Sequence, residues 1–233
     1  MTSDGSGGPL QYSSSDAVSR FERAANASLP GREAAIRMAA SLLAAQIPAN
    51  GSVLSVGTGT GLELSVLCSA RPDWTITGVD PSAPMVELAR ARLEGEGSAE
   101  RVTLMHGTVD QLPANTSFDG AICIMVLGIL PNDRARHALL ESVAVRLKPG
   151  SPFVFTLAYA DPMGERFDSP WKWYQRGMGQ NADEIDALFR QVRTPDFYMP
   201  SESMVADLLT GSGFTPPKRF FQAYFFGGWM SMR

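Results

Sequence analysis

Three alternate glycines follow a short apolar run in the stretch Val53-Leu54-Ser55-Val56-Gly57-Thr58-Gly59-Thr60-Gly61. An apolar run of this length indicates a buried strand, and apolar residues at helical spacing follow it over Leu62–Ala70. Glycine tolerates positive φ and lets the backbone pass close to a ligand. The stretch therefore predicts a strand, a tight turn and a helix, with a ligand at the carboxyl edge of the sheet.

The spacing of the glycines bears on the kind of ligand. A dinucleotide site needs G-x-G-x-x-G, with a pyrophosphate at the helix N-terminus. Here Leu62 takes the last position and Gly61 gives G-x-G-x-G, which favours a nucleoside without phosphates. Asp80 ends the next predicted strand, where an acid can accept hydrogen bonds from both ribose hydroxyls. The alternatives are that the glycines form only a turn, and that Asp80 only caps the helix after Pro81-Ser82.

Strands and helices alternate on both sides of this stretch. The predicted strands are Ser52–Val56, Thr75–Asp80, Val102–His106, 118–124, Pro152–Ala158, 219–226 and 229–232. The predicted helices in this region are Leu62–Ala70, 84–93, 134–147 and 202–209. Such alternation gives a parallel sheet with helices on both faces. We therefore predict an α/β fold around a mostly parallel, seven-stranded sheet that ends in an antiparallel hairpin, with its turn at Gly227-Gly228.

The remaining segments complete the predicted organisation. We divide the chain into a flexible N-terminal arm (1–18), N-terminal helices (19–50), a core (51–160), an inserted lid (161–200), and a last helix with the hairpin (201–233). The N-terminal helices are interrupted at Leu29-Pro30-Gly31. The lid is rich in aromatic residues and methionine, but its pattern predicts only one helix, Ala182–Val192. Because the lid follows the fifth strand, we expect it to cover the acceptor side of the site.

Composition limits the classes of function. The chain has 233 residues, 44% of them hydrophobic, which is enough for one full-sized core. Its net charge of −4 disfavours nucleic acid as a partner, because phosphate binding needs clustered Lys and Arg. No apolar stretch approaches the roughly 20 residues that cross a bilayer, and the Gly/Ser-rich start lacks a secretory signal, so we expect no membrane partner. Cys68 and Cys123 are predicted to be buried thiols, which fits a reducing, cytoplasmic compartment.

A series of motifs runs in order through the predicted core. The motifs are Leu54-Ser55-Val56-Gly57-Thr58-Gly59-Thr60-Gly61, Gly78-Val79-Asp80-Pro81-Ser82, Met85, Gly107-Thr108-Val109-Asp110-Gln111-Leu112-Pro113, Phe118-Asp119, Val126-Leu127 and Leu147-Lys148-Pro149-Gly150. They resemble the successive motifs of class I methyltransferases that depend on S-adenosylmethionine (SAM). This resemblance implies a Rossmann-like fold, SAM as cofactor and S-adenosylhomocysteine as product.

Both ends of the chain add a second resemblance. Ser28-Leu29-Pro30-Gly31-Arg32 and Phe220-Phe221-Gln222-Ala223-Tyr224-Phe225-Phe226-Gly227 look like the corresponding ends of carboxy-SAM synthases, enzymes of tRNA wobble-uridine modification. In that branch, the residue after Pro-Gly reaches the cofactor carboxylate. Here that residue is Arg32, whose guanidinium can bind a carboxylate through two hydrogen bonds. The alternative is a surface arginine at the start of a helix.

The resemblance to methyltransferases also implies a role for each matched core residue. The methionine part of SAM would be wrapped by Gly57, Thr58, Gly59 and Gly61, and the ribose would be held by Asp80. The adenine would be flanked by Pro81 and Met85, and its polar edge would meet Thr108 and Val109. The cofactor's amino group would face backbone carbonyls of Ile124 and Met125.

Three departures from the family pattern affect this assignment. Ser55 stands where an acid usually begins the first motif, so one indirect contact to the methionine amine is missing or replaced. Thr108 replaces the usual aspartate at the adenine amine, which leaves a hydroxyl or the Val109 backbone for that contact. The lid offers no identifiable counterpart of the arginine with which carboxy-SAM synthases bind the extra carboxylate. Ordinary SAM is therefore the favoured cofactor.

The acceptor side follows from the chemistry of methyl transfer. This in-line displacement needs mainly a positioned acceptor and the exclusion of water, so we assign no catalytic residue. We expect no metal site, since only His106 and His137 are present and they lie far apart in sequence. The candidate substrate-binding residues are aromatic: Tyr159, Trp171, Tyr174 and Tyr198. Asp161 and Glu165 are candidate polar groups beside them. The alternative for the aromatic residues is ordinary core packing.

The leading interpretation is a SAM-dependent methyltransferase with a small-molecule acceptor. One alternative is a SAM-modifying enzyme like the carboxy-SAM synthases. Another is a nicotinamide-dependent oxidoreductase, which Leu62 disfavours by breaking the dinucleotide pattern. The last is a SAM-binding protein without catalytic activity, against which the intact glycines and Asp80 argue. By resemblance alone we also expect a homodimer.

Overall fold

The computed structural model describes residues 15–160, 164–192, 194 and 197–233, and of residues 15–21, 164 and 165 it describes the backbone alone. The helices are Ser15–Ser28 (α1), Arg32–Ala44 (α2), Leu62–Ala70 (α3), Ala83–Gly95 (α4), Asp133–Ala144 (α5), Asp168–Gly177 (α6), Ala182–Val192 (α7) and Glu202–Gly211 (α8). The strands are Ser52–Val56 (β1), Thr75–Asp80 (β2), Val102–His106 (β3), Gly120–Ile124 (β4), Pro152–Ala158 (β5), Lys218–Ala223 (β6) and Phe226–Met232 (β7). Residues 1–14 of the predicted arm, Asp161 and the side chain of Glu165 lie outside this description.

The seven strands form one sheet in the order β3-β2-β1-β4-β5-β7-β6. Strands β1 to β5 are parallel, and β7 pairs antiparallel with both β5 and β6. The predicted fold class is therefore confirmed. The strand order reverses between β1 and β4, where Val56 lies opposite Cys123. In open α/β sheets ligands bind at such a reversal, outside the carboxyl ends of the strands.

Helices cover both faces of the sheet because side chains of a strand alternate between its faces. Leu54 of β1 packs in one buried cluster with Leu140 of α5 and Leu208 of α8. Its neighbour Val53 packs in the opposite cluster with Ile36 of α2. Each cluster removes large apolar side chains from water, which is the main favourable term in folding. The alternation thus fixes which helices cover which face of β1.

The hairpin turn lies at Tyr224-Phe225, so the predicted turn at Gly227-Gly228 is wrong. Tyr224 adopts a φ of 53°, and both glycines lie inside β7, opposite Leu157 and Thr156 of β5. A Cβ on Gly227 would strike the indole of Trp229, and one on Gly228 would lie 2.8 Å from Cζ of Phe220. These strand glycines therefore make room for aromatic rings rather than forming a turn.

The lid contains a helix, α6, that the sequence pattern does not predict. Its buried side chains are Trp171 and Gln175, which are one turn apart on the same face. Trp173 between them is 65% exposed, so the aromatic residues of this segment do not share one face. The predicted helix α7 has the expected bounds, and it packs Ile185 and Val192 inward.

No helix within the described part of the chain is both long and apolar enough to span a membrane.

Candidate cofactor-binding site

The glycine loop that joins β1 to α3 lies at the carboxyl edge of the sheet. Gly57, Gly59 and Gly61 adopt φ values of 70°, 49° and 83°. An added Cβ at Gly59 would meet no atom within 4 Å, so the loop faces open space there. An added Cβ at Gly61 would lie 3.0 Å from Cα and Cβ of Ala89 in α4. Gly59 thus leaves room for a ligand, whereas Gly61 lets two helices pack closely.

Thr58 lies between these glycines and is 1% exposed. Its hydroxyl is buried and has no hydrogen-bond partner among the described residues. Buried polar groups are nearly always satisfied, so an orphan of this kind needs a partner from outside the chain or a water molecule. This observation fits a loop that receives a polar ligand.

Asp80 joins the end of β2 to the glycine loop. Its Oδ2 accepts a hydrogen bond from the Gly59 amide at 2.8 Å, and its Oδ1 accepts one from the Ser82 amide at 2.9 Å. The second bond shows that Asp80 also holds the chain just before α4, as the capping alternative predicts. Each carboxylate oxygen can still accept another hydrogen bond, because an ionised carboxylate has about four acceptor sites. Capping and ligand binding are therefore compatible here.

The candidate adenine residues follow the carboxyl ends of β2 and β3, which are neighbours in the sheet, and Met85 lies in the first turn of α4. Met85 and Val109 are buried, at 6% and 2% exposure, while Pro81 and Thr108 are exposed. The Thr108 hydroxyl accepts from the Gln111 amide in a capping box. This hydroxyl keeps its own O–H donor, so both options for the adenine contact, the Thr108 hydroxyl and the Val109 backbone, stay open.

Met125 follows β4 and has a φ of 59°, a strained value for a side chain of this kind. Its amide donates to the Thr156 carbonyl at 3.0 Å, which ties the strained residue to β5. Ile124 precedes it and is 8% exposed. The structure thus brings both residues to the edge where the glycine loop emerges.

A carboxyl group, that of Glu63, and a guanidinium, that of Arg32, lie beside the glycine loop. Glu63, in the first turn of α3, is 4% exposed, and Ser55 of β1 donates to its Oε1 at 3.4 Å. Burial raises the pKa of the Glu63 carboxyl to about 7; Arg32 opposes this rise and Asp80 adds to it. Arg32 begins α2, is half-buried and donates to Oδ1 of Asn26 at 3.2 Å. Burial lowers the pKa of its guanidinium.

Helix α1 is attached to the glycine loop through Glu22. The Thr60 hydroxyl donates to Oε1 of Glu22 at 2.7 Å, and Arg92 of α4 forms an ion pair with the same oxygen. Arg92 also donates to the Thr60 carbonyl at 2.9 Å. The N-terminal helix and α4 therefore hold the loop together from two sides.

The four candidate acceptor residues occupy different surroundings. Tyr159 and Trp171 are fully buried, so the structure places them in the core rather than on an open wall. The Tyr159 hydroxyl accepts from Arg219 at 2.7 Å, and the Trp171 indole donates to the Ser28 carbonyl at 2.8 Å. This placement matches the core-packing alternative for both rings.

Tyr174 and Tyr198 are half-buried and remain partly open to solvent. The ring of Tyr174 lies 6.5 Å from that of Tyr224 at the hairpin turn. The guanidinium of Arg136 lies 3.4 Å from the ring centre of Tyr198, a cation–π contact. Burial raises the pKa of the Tyr198 hydroxyl. The structure does not show the four aromatic candidates as a single wall.

Comparison with known proteins decides the family. A sequence model described as "Methyltransferase domain" matches residues 53–150. Carboxy-S-adenosyl-L-methionine synthase from Desulfotalea psychrophila is 23% identical over 223 residues, which cover 93% of this chain and 89% of that enzyme. O-methyltransferase rstn1 from Aspergillus nomiae is 30% identical over 172 residues, which cover 70% of this chain and 75% of that protein. The chain belongs to the class I SAM-dependent methyltransferases.

A solved structure supports the methyltransferase fold independently. Mitomycin 7-O-methyltransferase MmcR matches with a TM-score of 0.69 and 19% identity, over 96% of this chain and 59% of that one. The methyltransferase described here therefore spans about three fifths of the length of that structure. At this identity the likeness shows the fold alone.

Two residues that lie beside the candidate site are not predicted from the sequence. Glu22 lies in a helix outside the family motifs, and only the folded chain brings it to Thr60. Glu63 carries one signal, since it is a charged residue in the otherwise apolar start of α3. Among the described residues, no group of three or more His, Cys, Asp or Glu could hold a metal ion.

Proposed function

We propose that this methyltransferase binds SAM in the glycine loop and transfers its methyl group to a small-molecule acceptor. The observation that carries the proposal is the contact between Gly59 and Asp80. It holds the loop against β2 while Gly59 faces open space and the Asp80 carboxylate keeps free acceptor sites. A ribose needs this combination of space and a hydrogen-bond acceptor.

The residues at the sheet edge fit the parts of SAM. Asp80 would accept hydrogen bonds from the ribose hydroxyls, and Met85 would pack on the adenine. The buried hydroxyl of Thr58 would form its missing hydrogen bond with the ligand. Arg32 would bind the carboxylate of the methionine part through its half-buried guanidinium. This guanidinium lies beside the loop, close enough to Glu63 to lower the pKa of the Glu63 carboxyl. When bound, SAM supplies an electrophilic methyl group on a sulfonium.

The chain's own task is then to position the acceptor and exclude water. Two half-buried aromatic features could hold an acceptor: the pair of rings Tyr174 and Tyr224, and the Tyr198 ring with its cation–π contact to the buried Arg136. O-methyltransferase rstn1 and Mitomycin 7-O-methyltransferase MmcR support an oxygen acceptor by their names alone. The net charge of −4 supports a small molecule rather than a nucleic acid. A cytoplasmic location and a homodimer remain predictions.

The proposal is tested with methyl-labelled SAM and a panel of small aromatic hydroxyl and amine compounds. We expect label to appear in at least one organic product, together with S-adenosylhomocysteine. An Asp80→Ala variant that folds should lose this transfer, and Glu87→Gln, on the exposed face of α4, should keep it. Binding of SAM without transfer to any compound would favour the non-catalytic alternative.

A second candidate is a SAM-modifying activity. The D. psychrophila carboxy-SAM synthase aligns over 93% of this chain, and that coverage includes both ends outside the common core. Mass spectrometry of the ligand released from the freshly purified protein separates the two. A carboxylated SAM would favour the second candidate, whereas SAM or S-adenosylhomocysteine would favour the first.

A further inference from the structure

The first motif of this chain lacks the acid that usually begins it, because Ser55 occupies that position. We propose that Glu63 replaces this acid and binds the α-ammonium group of the methionine part of SAM. The inference rests on the proposed function, since it assigns one more residue of the same site. In this arrangement helix α3, rather than strand β1, supplies the acid.

The two residues lie on opposite ends of the glycine loop. Ser55 is fully buried on the face of β1 that also carries Val53, the face covered by α2 and α3. Glu63 is eight residues later, in the first turn of α3, and its Oε1 lies 3.4 Å from the Ser55 Oγ. The carboxylate thus reaches back under the loop to the residue that replaces the usual acid.

Glu63 is poorly compensated in the protein alone. Its side chain is buried, and the hydrogen bonds recorded for its carboxylate come from the neutral Ser55 hydroxyl and the backbone. No ion pair within 4 Å joins it to a base among the described residues. A carboxylate buried in this way is costly unless a charged partner reaches it. A ligand ammonium would supply that partner.

The surrounding charges fit an amino acid rather than a single ion. Arg32 faces Glu63 from α2, Asp80 faces it from β2, and the Cys123 thiol lies near it on β4. The site therefore offers a half-buried guanidinium and a buried carboxyl group beside the loop. A zwitterionic group would place its carboxylate at Arg32 and its ammonium at Glu63. The nicotinamide and phosphates of a dinucleotide carry no ammonium for this acid.

The alternative is that Glu63 only supports the loop from below. The two roles are separated by calorimetric titration with two ligands: S-adenosylhomocysteine, and the same molecule with hydrogen in place of its α-amino group. We expect Glu63→Gln to weaken binding of the first by about 10- to 100-fold, because a charge-assisted hydrogen bond is lost. Binding of the deaminated ligand should change little. Glu33→Gln, on the exposed face of α2, is the matched control and should affect neither ligand.

A titration of the wild type against pH gives a second test that needs no variant. As the pH falls from about 8 to about 6, Glu63 takes up a proton and the preference for the amino-bearing ligand should decrease. The double variant Glu63→Gln, Ser55→Asp moves the acid back to strand β1. In this variant the preference for the amino-bearing ligand should be restored.

Each outcome has a defined meaning. Equal weakening of both ligands in Glu63→Gln, or a wild-type preference that does not change with pH, would overturn the assignment and leave the proposed function intact. If the wild type binds neither ligand, the proposed function itself fails and the role of Glu63 fails with it.

Discussion

The backbone amide of Gly59 donates to the carboxylate of Asp80, and 2.8 Å separate the nitrogen from Oδ2. This hydrogen bond joins the loop after β1 to the end of β2, so one contact positions both parts of the proposed cofactor site. The other oxygen of Asp80 accepts from the Ser82 amide and orders the approach to α4.

Removal of the Asp80 carboxylate should weaken cofactor binding more than it weakens the fold. We expect Asp80→Ala to raise the Kd for S-adenosylhomocysteine by about 10- to 100-fold, because ribose hydroxyls lose a charged acceptor. Titration calorimetry measures this change, and circular dichroism checks that the variant is folded. Unchanged affinity in a folded variant would show that Asp80 serves only as a cap.

The glycines of the loop should respond differently to the same substitution. Gly61→Ala places a Cβ against Ala89 at positive φ, so we expect a loss of about 1–3 kcal/mol in unfolding free energy. Gly59→Ala also has positive φ but meets open space, so its larger effect should be on SAM binding. Urea unfolding and calorimetry on both variants compare the two effects. If Gly59→Ala leaves affinity intact, the open space beside it does not hold the cofactor.

Glu63 should give the ligand-free protein a distinctive dependence on pH. Burial raises the pKa of its carboxyl from 4.5 to about 7, so within that window the folded protein holds a proton that the unfolded chain has released. Its contribution to stability therefore falls as the pH rises from 4.5 to about 7. Glu63→Gln should lose this slope and be more stable than the wild type at about pH 8, by up to about 3 kcal/mol. Urea unfolding at several pH values measures the slope, and an unchanged slope would contradict the burial of an ionisable Glu63.

Glu22 should couple the N-terminal helix to the cofactor loop. Glu22→Ala removes the acceptor of the Thr60 hydroxyl and the partner of Arg92. We expect faster amide hydrogen exchange in α1 and a several-fold weaker SAM affinity, since part of a half-buried network is lost. Glu33→Ala removes an exposed i,i+4 ion pair with Arg37 in α2 and serves as the comparison. Equal exchange in both variants would show that α1 is held by its other contacts.

The part of the fold that could be predicted is the part with local signals. An apolar run followed by alternate glycines predicts a strand, turn and helix, and the structure has all three at Ser52–Val56 and Leu62–Ala70. The hairpin turn could not be placed, because Gly227 and Gly228 have the local signature of a turn. Their actual role depends on Trp229 and Phe220, which reach them only in the folded sheet.

The same distinction applies to the site. The positions of Gly59 and Asp80 follow from strand ends, which the sequence pattern indicates well. Glu63 could not be assigned a role, because an acid in the first turn of a helix is ordinarily explained by the helix dipole. Its burial, with Ser55 of β1 as a hydrogen-bond partner and Arg32 of α2 nearby, is a tertiary property. Helix α6 is similar, since its buried residue Trp171 donates to the Ser28 carbonyl of α1, a contact between segments far apart in sequence.

Calorimetric titration of the wild-type protein with SAM, S-adenosylhomocysteine and NAD distinguishes a SAM site from a dinucleotide site. We expect saturable binding of the first two, with one ligand per chain, and no binding of NAD, because the glycine loop, Asp80 and the buried Glu63 suit a nucleoside linked to an amino acid. Binding of NAD alone, or of none of the three, would contradict this expectation.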